Sequence, residues 1–446
     1  MLKKIINTHL FHFIYLFELL KLTNNRFYFQ LLYKRQFLQK CHELSLGKNN
    51  FFSILTHLHL EGVSDDSFND IISLIDQFRI KDLEKIIKVC IQLKPEIGLK
   101  LLQKTTNENS KLAFIYRSHL FPSKKDKPKL IKLQKIKPSL IFNIYNHLHF
   151  YQSPQCEEIL NQYFLAHNLS SIKRININEP LYINNITSNK YIKNDENYGK
   201  VSIIMSAKDE ELLIEKSTES LIKQTYKNIE IIFINDASKD STQDIFLTTC
   251  NKYHFHDFKI INLDKNVGPF YCMNLGLKAA RGEFITFHGA DDWAHPQRIA
   301  YQLKGLVKHN VVASMSKLIR IKPTGEIFSK HIYPLNRMCI SSLLFKREII
   351  NSLGYFYTDL LGADSEYPER IRLFYGARSL IVLPIVLTIA AHRANSRTTC
   401  NEFGTANFGI NKRRLQEFEI LMQRLYEKFK FKQSYYVDFK HNQYSF

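Results

Sequence analysis

The hydrophobic pattern of the chain changes near residue 199. Before this point, apolar residues recur at the three- and four-residue spacing of amphipathic helices, most clearly in segments 64–75 and 81–93. Polar capping residues precede the first of these segments, and the connectors between segments are short. Although no strict repeat period is present, the pattern predicts an all-α domain of helical hairpins over residues 1–122.

After residue 199, short apolar runs bounded by polar residues alternate with segments that have helical spacing. The apolar runs are 201–205, 229–234, 258–263 and 283–287, and the helical segments are 210–224, 241–253 and 269–280. Continuous apolar runs suit parallel strands that are covered on both faces. Because strands alternate with helices, the pattern predicts an α/β domain with a parallel sheet over residues 199–400.

Two further segments complete the expected organisation. Residues 123–198 are predicted to be a basic linker followed by a connecting helical segment, because the run 124–137 carries seven lysines and the later part has no period. Residues 401–446 are predicted to be a C-terminal amphipathic helix and tail. We interpret this helix as a packing helix, with a membrane contact as the alternative.

Composition and charge limit the classes of function. With 45% hydrophobic and 23% charged residues, the chain of 446 residues is not a disordered protein. Its net charge of +20 is compatible with nucleic acid, an anionic membrane surface or an anionic substrate as partner. The sequence has no nucleic-acid-binding motif, so we expect no nucleic acid partner.

The sequence also bears on the compartment. No apolar stretch reaches the about 18–20 residues that a membrane-spanning helix needs. The seven cysteines are scattered without a C-x-x-C motif, which is typical of a reducing compartment. We therefore expect a cytoplasmic protein, with a peripheral position at the inner face of the cell membrane as a further possibility.

Acidic residues follow two of the apolar runs. Asp236 comes after the second run, and Asp291 and Asp292 come after the fourth. Ligands of parallel sheets bind at the carboxyl ends of the strands. Adjacent carboxylates repel each other unless a cation such as a hard divalent metal ion offsets their charge. The alternative is that these residues only cap the helices that follow them.

Together these motifs resemble the family 2 glycosyltransferases, which have the GT-A fold. The motifs are VSIIMSAKDEE, SLIKQTYKNIEIIFINDASKDST, KNVGPFYCMNLGLKAARGEFITFHGADDWAHPQRI, SSLLFKREIINSLGYF and GADSEYPERIR, in this order between residues 201 and 372. The resemblance implies a Rossmann-like, mostly parallel sheet flanked by helices over 199–400. The DDWAHPQR stretch most resembles bacterial enzymes that build capsular or other surface polysaccharides.

The resemblance also implies roles for individual residues in binding the donor. Asp236 matches the residue that hydrogen-bonds the nucleotide base, and the segment from Ala207 to Glu211 lies where the first strand meets the base and ribose. Asp291 and Asp292 lie in the region of the motif that contacts the ribose and holds a metal ion, Mg²⁺ or Mn²⁺, with the diphosphate.

For the chemical step, Asp364 falls at the position of the catalytic base, with Glu366 as the nearby competitor for that role. Arg370 follows six residues after Asp364, as in the family pattern. His392 and Arg393 come after a predicted apolar strand, 380–390. Two roles are open for them: contact with the diphosphate or the acceptor, or a purely structural role.

Two departures from the family pattern are present. Gly289 stands where relatives often have the first acidic residue of the metal-binding motif, and Lys208 with Asp209 replaces a common aromatic-Asn pair. The first change bears on metal binding and the second on stacking of the base.

The sequence therefore predicts an inverting, metal-dependent glycosyltransferase of the hexosyl- or N-acetylhexosaminyltransferase type. Its expected donor is a nucleotide sugar, with a UDP-sugar as first choice, and its expected acceptor is a growing saccharide or a lipid-linked glycan. The alternative is a GT-A scaffold without activity that docks other polysaccharide-assembly proteins, and Gly289 favours this alternative. Which sugar, acceptor and linkage are involved does not follow from the sequence.

Overall fold

The computed structural model describes residues 138–147, 149–188, 196–329, 334–393 and 412–439, together with Cys90, Ile97, Lys100 and Leu101. The expected helical-hairpin domain over 1–122 lies outside the described residues, apart from those four positions, and so does the lysine-rich run 124–137.

The strands of the described chain form one small and one large sheet. They are β1 (Ile172–Arg174), β2 (Ile186–Ser188), β3 (Val201–Ala207), β4 (Ile229–Asn235), β5 (Phe258–Asn262), β6 (Phe284–Phe287), β7 (Asp292–Ala294), β8 (Ala313–Ile321), β9 (Ile327–Phe328), β10 (Arg337–Lys346) and β11 (Leu380–Ala391). β1 and β2 pair as an antiparallel hairpin. The other strands form one nine-stranded sheet in the order β5-β4-β3-β6-β10-β8-β11-β7, with β9 paired to β8.

Helices cover both faces of the large sheet. They are α1 (Leu140–His147), α2 (Cys156–Ala166), α3 (Ile214–Ile222), α4 (Thr242–Lys252), α5 (Pro269–Ala279), α6 (Arg298–Lys308), α7 (Ile349–Leu353), α8 (Ala363–Tyr375) and α9 (Lys412–Lys430). Two short 3-10 turns, at Phe150–Gln152 and Ile183–Asn185, belong to the segment before β3.

The parallel half of the sheet follows directly from the apolar runs. β3 pairs in parallel with β4 and β6, and β4 pairs in parallel with β5. Neighbouring residues of β3 face opposite layers, since Ile203 packs against α3 and α4 whereas Ile204 packs against α5. Both layers are apolar, which is why β3 consists mainly of apolar residues. The predicted α/β architecture with parallel strands flanked by helices is confirmed.

The remaining strands make the sheet mixed. β10 runs antiparallel to both β6 and β8, β11 is parallel to β8, and β7 is antiparallel to β11. In β7, Asp292 lies opposite Ala390 of β11. This pairing brings the chain after β11 close to the residues that immediately precede β7.

Residues 138–188 share a core with the sheet. Buried residues of α1 and α2, including Tyr145 and Tyr163, pack in one cluster with residues of β8 and β11. The Tyr145 hydroxyl donates to the Gly325 carbonyl (3.1 Å), and the Val386 amide donates to the Tyr163 hydroxyl (2.9 Å). The expected boundary at residue 198 remains a prediction, but residues 138–188 are not a free linker.

The C-terminal helix α9 packs against α8 and buries Leu421 and Leu425. The chain after α9 is fixed through Val437, whose amide donates to the Leu353 carbonyl (3.0 Å) and whose carbonyl accepts from the Tyr355 amide (2.9 Å). None of the helices that the structure describes has the length and apolar character needed to cross a bilayer.

Candidate active site

The loops that follow β3 and β4 are joined by hydrogen bonds at the carboxyl edge of the sheet. Asp209 accepts from the Lys239 amide (2.8 Å), and the Glu210 amide donates to the Thr242 hydroxyl (2.7 Å). Asp209 has a left-handed backbone (φ 52°), which Asp tolerates better than most residues. These bonds fix the backbone of the loop at Glu210.

Glu210 belongs to a charged cluster with Arg393 and Asp291. The Arg393 guanidinium donates to the Glu210 carboxylate, and its Nη2 lies 3.5 Å from Asp291 Oδ2. The pairing of β11 with β7 explains the contact, because Arg393 continues the strand that lies opposite the start of β7. Three segments that are distant in sequence thus meet at one point.

The protonation of the cluster is shifted by its surroundings. Burial, followed by the charge of Asp291, raises the pKa of Glu210 to about 7, while Arg393 acts in the opposite direction. Burial and the charge of Asp291 also raise the pKa of Asp292, against the lowering effect of Arg320. Raised carboxyl pKa values in a charged cleft are typical of functional sites.

The carboxylates of Asp291 and Asp292 converge over Gly289. A Cβ atom at Gly289 would lie 2.8 Å from Asp292 Oδ2 and 3.1 Å from Asp291 Oδ1. The two carboxylates therefore lie close together against the Gly289 backbone, where a side chain at 289 would displace them. Hard divalent cations prefer oxygen ligands, so this pair of carboxylates fits Mg²⁺ or Mn²⁺ only with further ligands from a diphosphate and water.

The protein supplies few ligands for such an ion. No group of three or more His, Cys, Asp or Glu residues with metal-holding geometry occurs among the described residues. A metal held here by Asp291 and Asp292 would therefore depend on the substrate for part of its coordination.

Asp236 holds the loop in front of α5. Its Oδ1 accepts from the Val267 amide (2.7 Å), and its Oδ2 accepts from the Gly268 amide (3.0 Å). Gly268 has a positive φ of 81° and leads directly into Pro269, so the loop needs a glycine at this position. The Asp236 amide also donates to the Ala207 carbonyl (2.9 Å), which places the ends of β3 and β4 side by side.

Asp364 and Glu366 both lie in the first turn of α8 but have different surroundings. Asp364 is half-buried, and its Oδ1 accepts from the Ser365 amide (2.9 Å). Glu366 is fully buried and forms a bidentate ion pair with Arg370 at 2.9 and 2.7 Å. Arg370 also donates to the Leu353 carbonyl (2.7 Å). The geometry favours Asp364 as the group that can meet a substrate.

The sequence between residues 202 and 362 matches the model of the family "Glycosyl transferase family 2". Residues 202–362 form a family 2 glycosyltransferase domain. The resemblance noted from the sequence is confirmed. Glu210, Asp291 and Asp292 lie in this domain, whereas Arg393 lies beyond it.

Individual relatives match only part of the chain. Glycosyltransferase GlyA of Streptococcus pneumoniae is 28% identical over 134 residues, covering 30% of this chain and 19% of that protein. The putative glycosyltransferase EpsH of Bacillus subtilis is 40% identical over 106 residues, covering 23% and 29%. The matched part thus spans less than a third of these two relatives. The crystal structure of S. aureus TarS in complex with UDP is 21% identical and covers 43% of this chain and 60% of that chain, with a TM-score of 0.37.

The other candidates fall in or beside the glycosyltransferase domain. His392 stacks on Phe328 with ring centroids 3.7 Å apart, and burial followed by the nearby cation Arg320 lowers the pKa of His392 to about 4. A neutral, stacked imidazole favours a structural role for His392. Trp293 is 4% exposed and packs in the core shared with α1 and α2.

Two residues near the cluster were not singled out from the sequence. Glu210 lies in the segment after β3 that the resemblance assigns to the donor, so the signal for it was present. Tyr182 precedes the glycosyltransferase domain, and the charges of Arg393, Asp291, Glu210 and Asp292 act on its hydroxyl. No local sequence pattern indicates Tyr182, since its position depends on the packing of residues 138–188.

Proposed function

We propose that this protein is an inverting glycosyltransferase that moves a sugar from a nucleotide-diphosphate donor, with a UDP-sugar as first choice, to a saccharide or lipid-linked acceptor. The observation that carries the proposal is the convergence of the Asp291 and Asp292 carboxylates over Gly289, at the carboxyl edge of the parallel strands. In such sheets this edge is where ligands bind.

The donor is proposed to lie across the ends of β3 and β4. Ala207 and Asp236 would face the base and ribose, and Asp291 with Asp292 would hold Mg²⁺ or Mn²⁺ against the diphosphate. The metal ion, when bound, supplies positive charge that stabilises the departing diphosphate. Arg393 adds a guanidinium at the same place, and cations near a leaving phosphate act in the same direction.

Asp364 is proposed to be the general base. The acceptor oxygen forms a bond with the anomeric carbon, the bond from that carbon to the diphosphate oxygen breaks, and the acceptor proton passes to the Asp364 carboxylate. Because the attack comes from the face opposite the leaving group, the anomeric configuration is inverted. A carboxylate base of this kind contributes about 10²–10⁴-fold to the rate.

The nature of the acceptor is supported by a relative. Poly-beta-1,6-N-acetyl-D-glucosamine synthase of Staphylococcus epidermidis is 24% identical over 195 residues, covering 39% of this chain and 46% of that protein. Its name states a polymer of N-acetylglucosamine as product. By analogy, we propose N-acetylhexosaminyl or hexosyl transfer to a capsular or surface polysaccharide, at the cytoplasmic side of the membrane.

A scaffold without activity is the second candidate, and one observation favours it. The Arg393 guanidinium already pairs with Glu210 and Asp291 in the structure, so the cluster has a cation of its own. A chain that had lost its metal could keep its fold in this way. In that case the protein would bind partners of a polysaccharide-assembly complex rather than turn over a donor.

The test uses the purified full-length chain with UDP-, GDP- and dTDP-sugars, with Mn²⁺ and with a chelator. We expect donor binding by calorimetry that falls on chelation and in Asp292→Asn, and turnover that falls about 10²–10⁴-fold in Asp364→Asn with donor binding unchanged. Asp264→Asn, at an exposed position, is the matched control. Donor binding without hydrolysis or transfer for any donor would support the scaffold, and binding unaffected by chelator would contradict the metal.

A further inference from the structure

Tyr182 lies in a tightly packed turn outside the glycosyltransferase domain. Its neighbours Leu181 and Ile183 are both fully buried in the core that α1 and α2 share with the sheet. The 3-10 turn Ile183–Asn185 that follows packs against α3 and β11. Helix α3 follows the loop that contains Glu210, and β11 precedes Arg393, so the turn lies beside the charged cluster.

Asn185 fixes the backbone around Tyr182. Its Oδ1 accepts from the amides of Ile175 (3.0 Å) and Asn176 (2.7 Å), and its Nδ2 donates to the carbonyls of Asn176 (2.9 Å) and Pro180 (3.0 Å). Asn185 itself is 3% exposed. A buried amide whose donors and acceptor are all used holds a loop in one conformation, so the position of Tyr182 is set before any ligand arrives.

The Tyr182 side chain is half-buried and packs on the cluster that contains Leu213 and Ala391. Among the residues that the structure describes, none accepts a hydrogen bond from its hydroxyl. Burial raises the pKa of Tyr182, and the lowering effect of Arg393 and the raising effect of Asp291 are smaller. The hydroxyl is therefore protonated at neutral pH and, within the described part of the chain, is a hydrogen-bond donor without a protein acceptor.

We propose that the Tyr182 hydroxyl donates a hydrogen bond to the diphosphate of the bound nucleotide sugar. The inference rests on the proposed function, because it needs a diphosphate at Asp291 and Asp292. Anionic oxygens are strong acceptors, and a neutral donor in an acidic cluster can meet them without adding to the repulsion. Residues before the glycosyltransferase domain would thus complete its donor site.

The experiment measures the affinity of the full-length chain for UDP with Mn²⁺ by calorimetry and for uridine by NMR titration. Tyr182→Phe keeps the ring and its packing but removes the donor. A hydrogen bond to a charged group is worth enough for us to expect about tenfold to hundredfold weaker UDP binding, with uridine binding unchanged. The control is Tyr301→Phe, which removes the hydroxyl that donates to the His167 carbonyl (3.1 Å), and which should leave both affinities unchanged.

Each outcome has one meaning. Wild-type protein that binds no UDP, GDP or dTDP would contradict the proposed function and this inference together. Wild-type binding with the same affinity in Tyr182→Phe would overturn the inference alone. Equal losses for UDP and uridine would place the hydroxyl at the base rather than at the diphosphate, which also overturns it. Thermal melting of both variants, expected to match wild type, excludes an effect of unfolding.

Discussion

The ion pair between Glu366 and Arg370 allows a sharp prediction about which carboxylate in α8 is catalytic. Both side chains are fully buried, and their two hydrogen bonds measure 2.9 and 2.7 Å. In Glu366→Gln, Arg370 would keep its charge in the core without a carboxylate partner. Removing one member of a buried pair costs about 3–5 kcal/mol, which is a large part of the about 5–15 kcal/mol that stabilises a typical domain.

Arg370 also connects α8 to the chain before it, which adds to this cost. Its Nη1 donates to the carbonyls of Leu353 (2.7 Å) and Tyr355 (3.0 Å), and its guanidinium lies 4.7 Å from the ring centroid of Tyr367. We therefore expect Glu366→Gln to lower the free energy of unfolding strongly. By contrast, Asp364→Asn should leave it almost unchanged, since Asp364 is half-buried and its hydrogen bonds to described residues stay within its own turn.

Urea unfolding and turnover of the same preparations provide the assay. Glu366→Gln should shift the urea midpoint down while its folded fraction retains turnover. Asp364→Asn should keep the midpoint and lose about 10²–10⁴-fold in turnover. Replacing the pair by apolar residues, as in Glu366→Leu with Arg370→Met, should recover part of the lost stability, because a buried pair is often no more stable than an apolar one. A stable Glu366→Gln with collapsed turnover would refute this reasoning and make Glu366 the base.

Two further substitutions test the close approach of the two aspartates to Gly289 and the anchoring of the loop before Asp364. Gly289→Ala should weaken the binding of UDP with Mn²⁺, because the new Cβ would lie 2.8 Å from a carboxylate oxygen and overpacking costs about 1–3 kcal/mol. Calorimetry measures the affinity. An unchanged affinity would show that the two aspartates do not hold the donor there. Glu417→Ala should lower kcat and leave the donor KM unchanged, because Glu417 accepts from the Leu361 amide (2.7 Å) and a hydrogen bond to a charged group is worth about 1.5–3 kcal/mol. Steady-state kinetics measure both parameters, with Glu427→Ala at an exposed position as the control. Equal kcat values for the two variants would contradict the prediction.

The strands of the parallel half could be predicted closely from the sequence. The runs 201–205, 229–234 and 258–263 correspond to Val201–Ala207, Ile229–Asn235 and Phe258–Asn262. The prediction succeeded for β3 and β4 because these strands are covered on both faces, so that most of their positions are apolar. β5 is the edge strand and is only partly buried, but its central residue is still apolar.

The composition of the charged cluster could not be predicted in the same way. The contact of Arg393 with Asp291 depends on the antiparallel pairing of β7 with β11, which is set by residues almost a hundred positions apart in the chain. The buried state of Glu366 was equally hidden, because an acidic residue in the first turn of a helix is common at exposed positions. Only the packing of α8 against its neighbours shows that Glu366 faces Arg370 in the core.

The segment that matches the family is not the whole folding unit. Strand β7, which begins at Asp292, pairs with β11, and β11 lies beyond residue 362. Within the described chain, β11 also carries Arg393 to the cluster and buries its inner face against α1 and α2. A fragment limited to residues 202–362 would therefore leave β7 without its strand partner and would remove Arg393, Asp364 and Tyr182 together. The proposed donor site would thus be built by the family domain and by the chain on both sides of it, so its chemistry and its fold would depend on the same contacts.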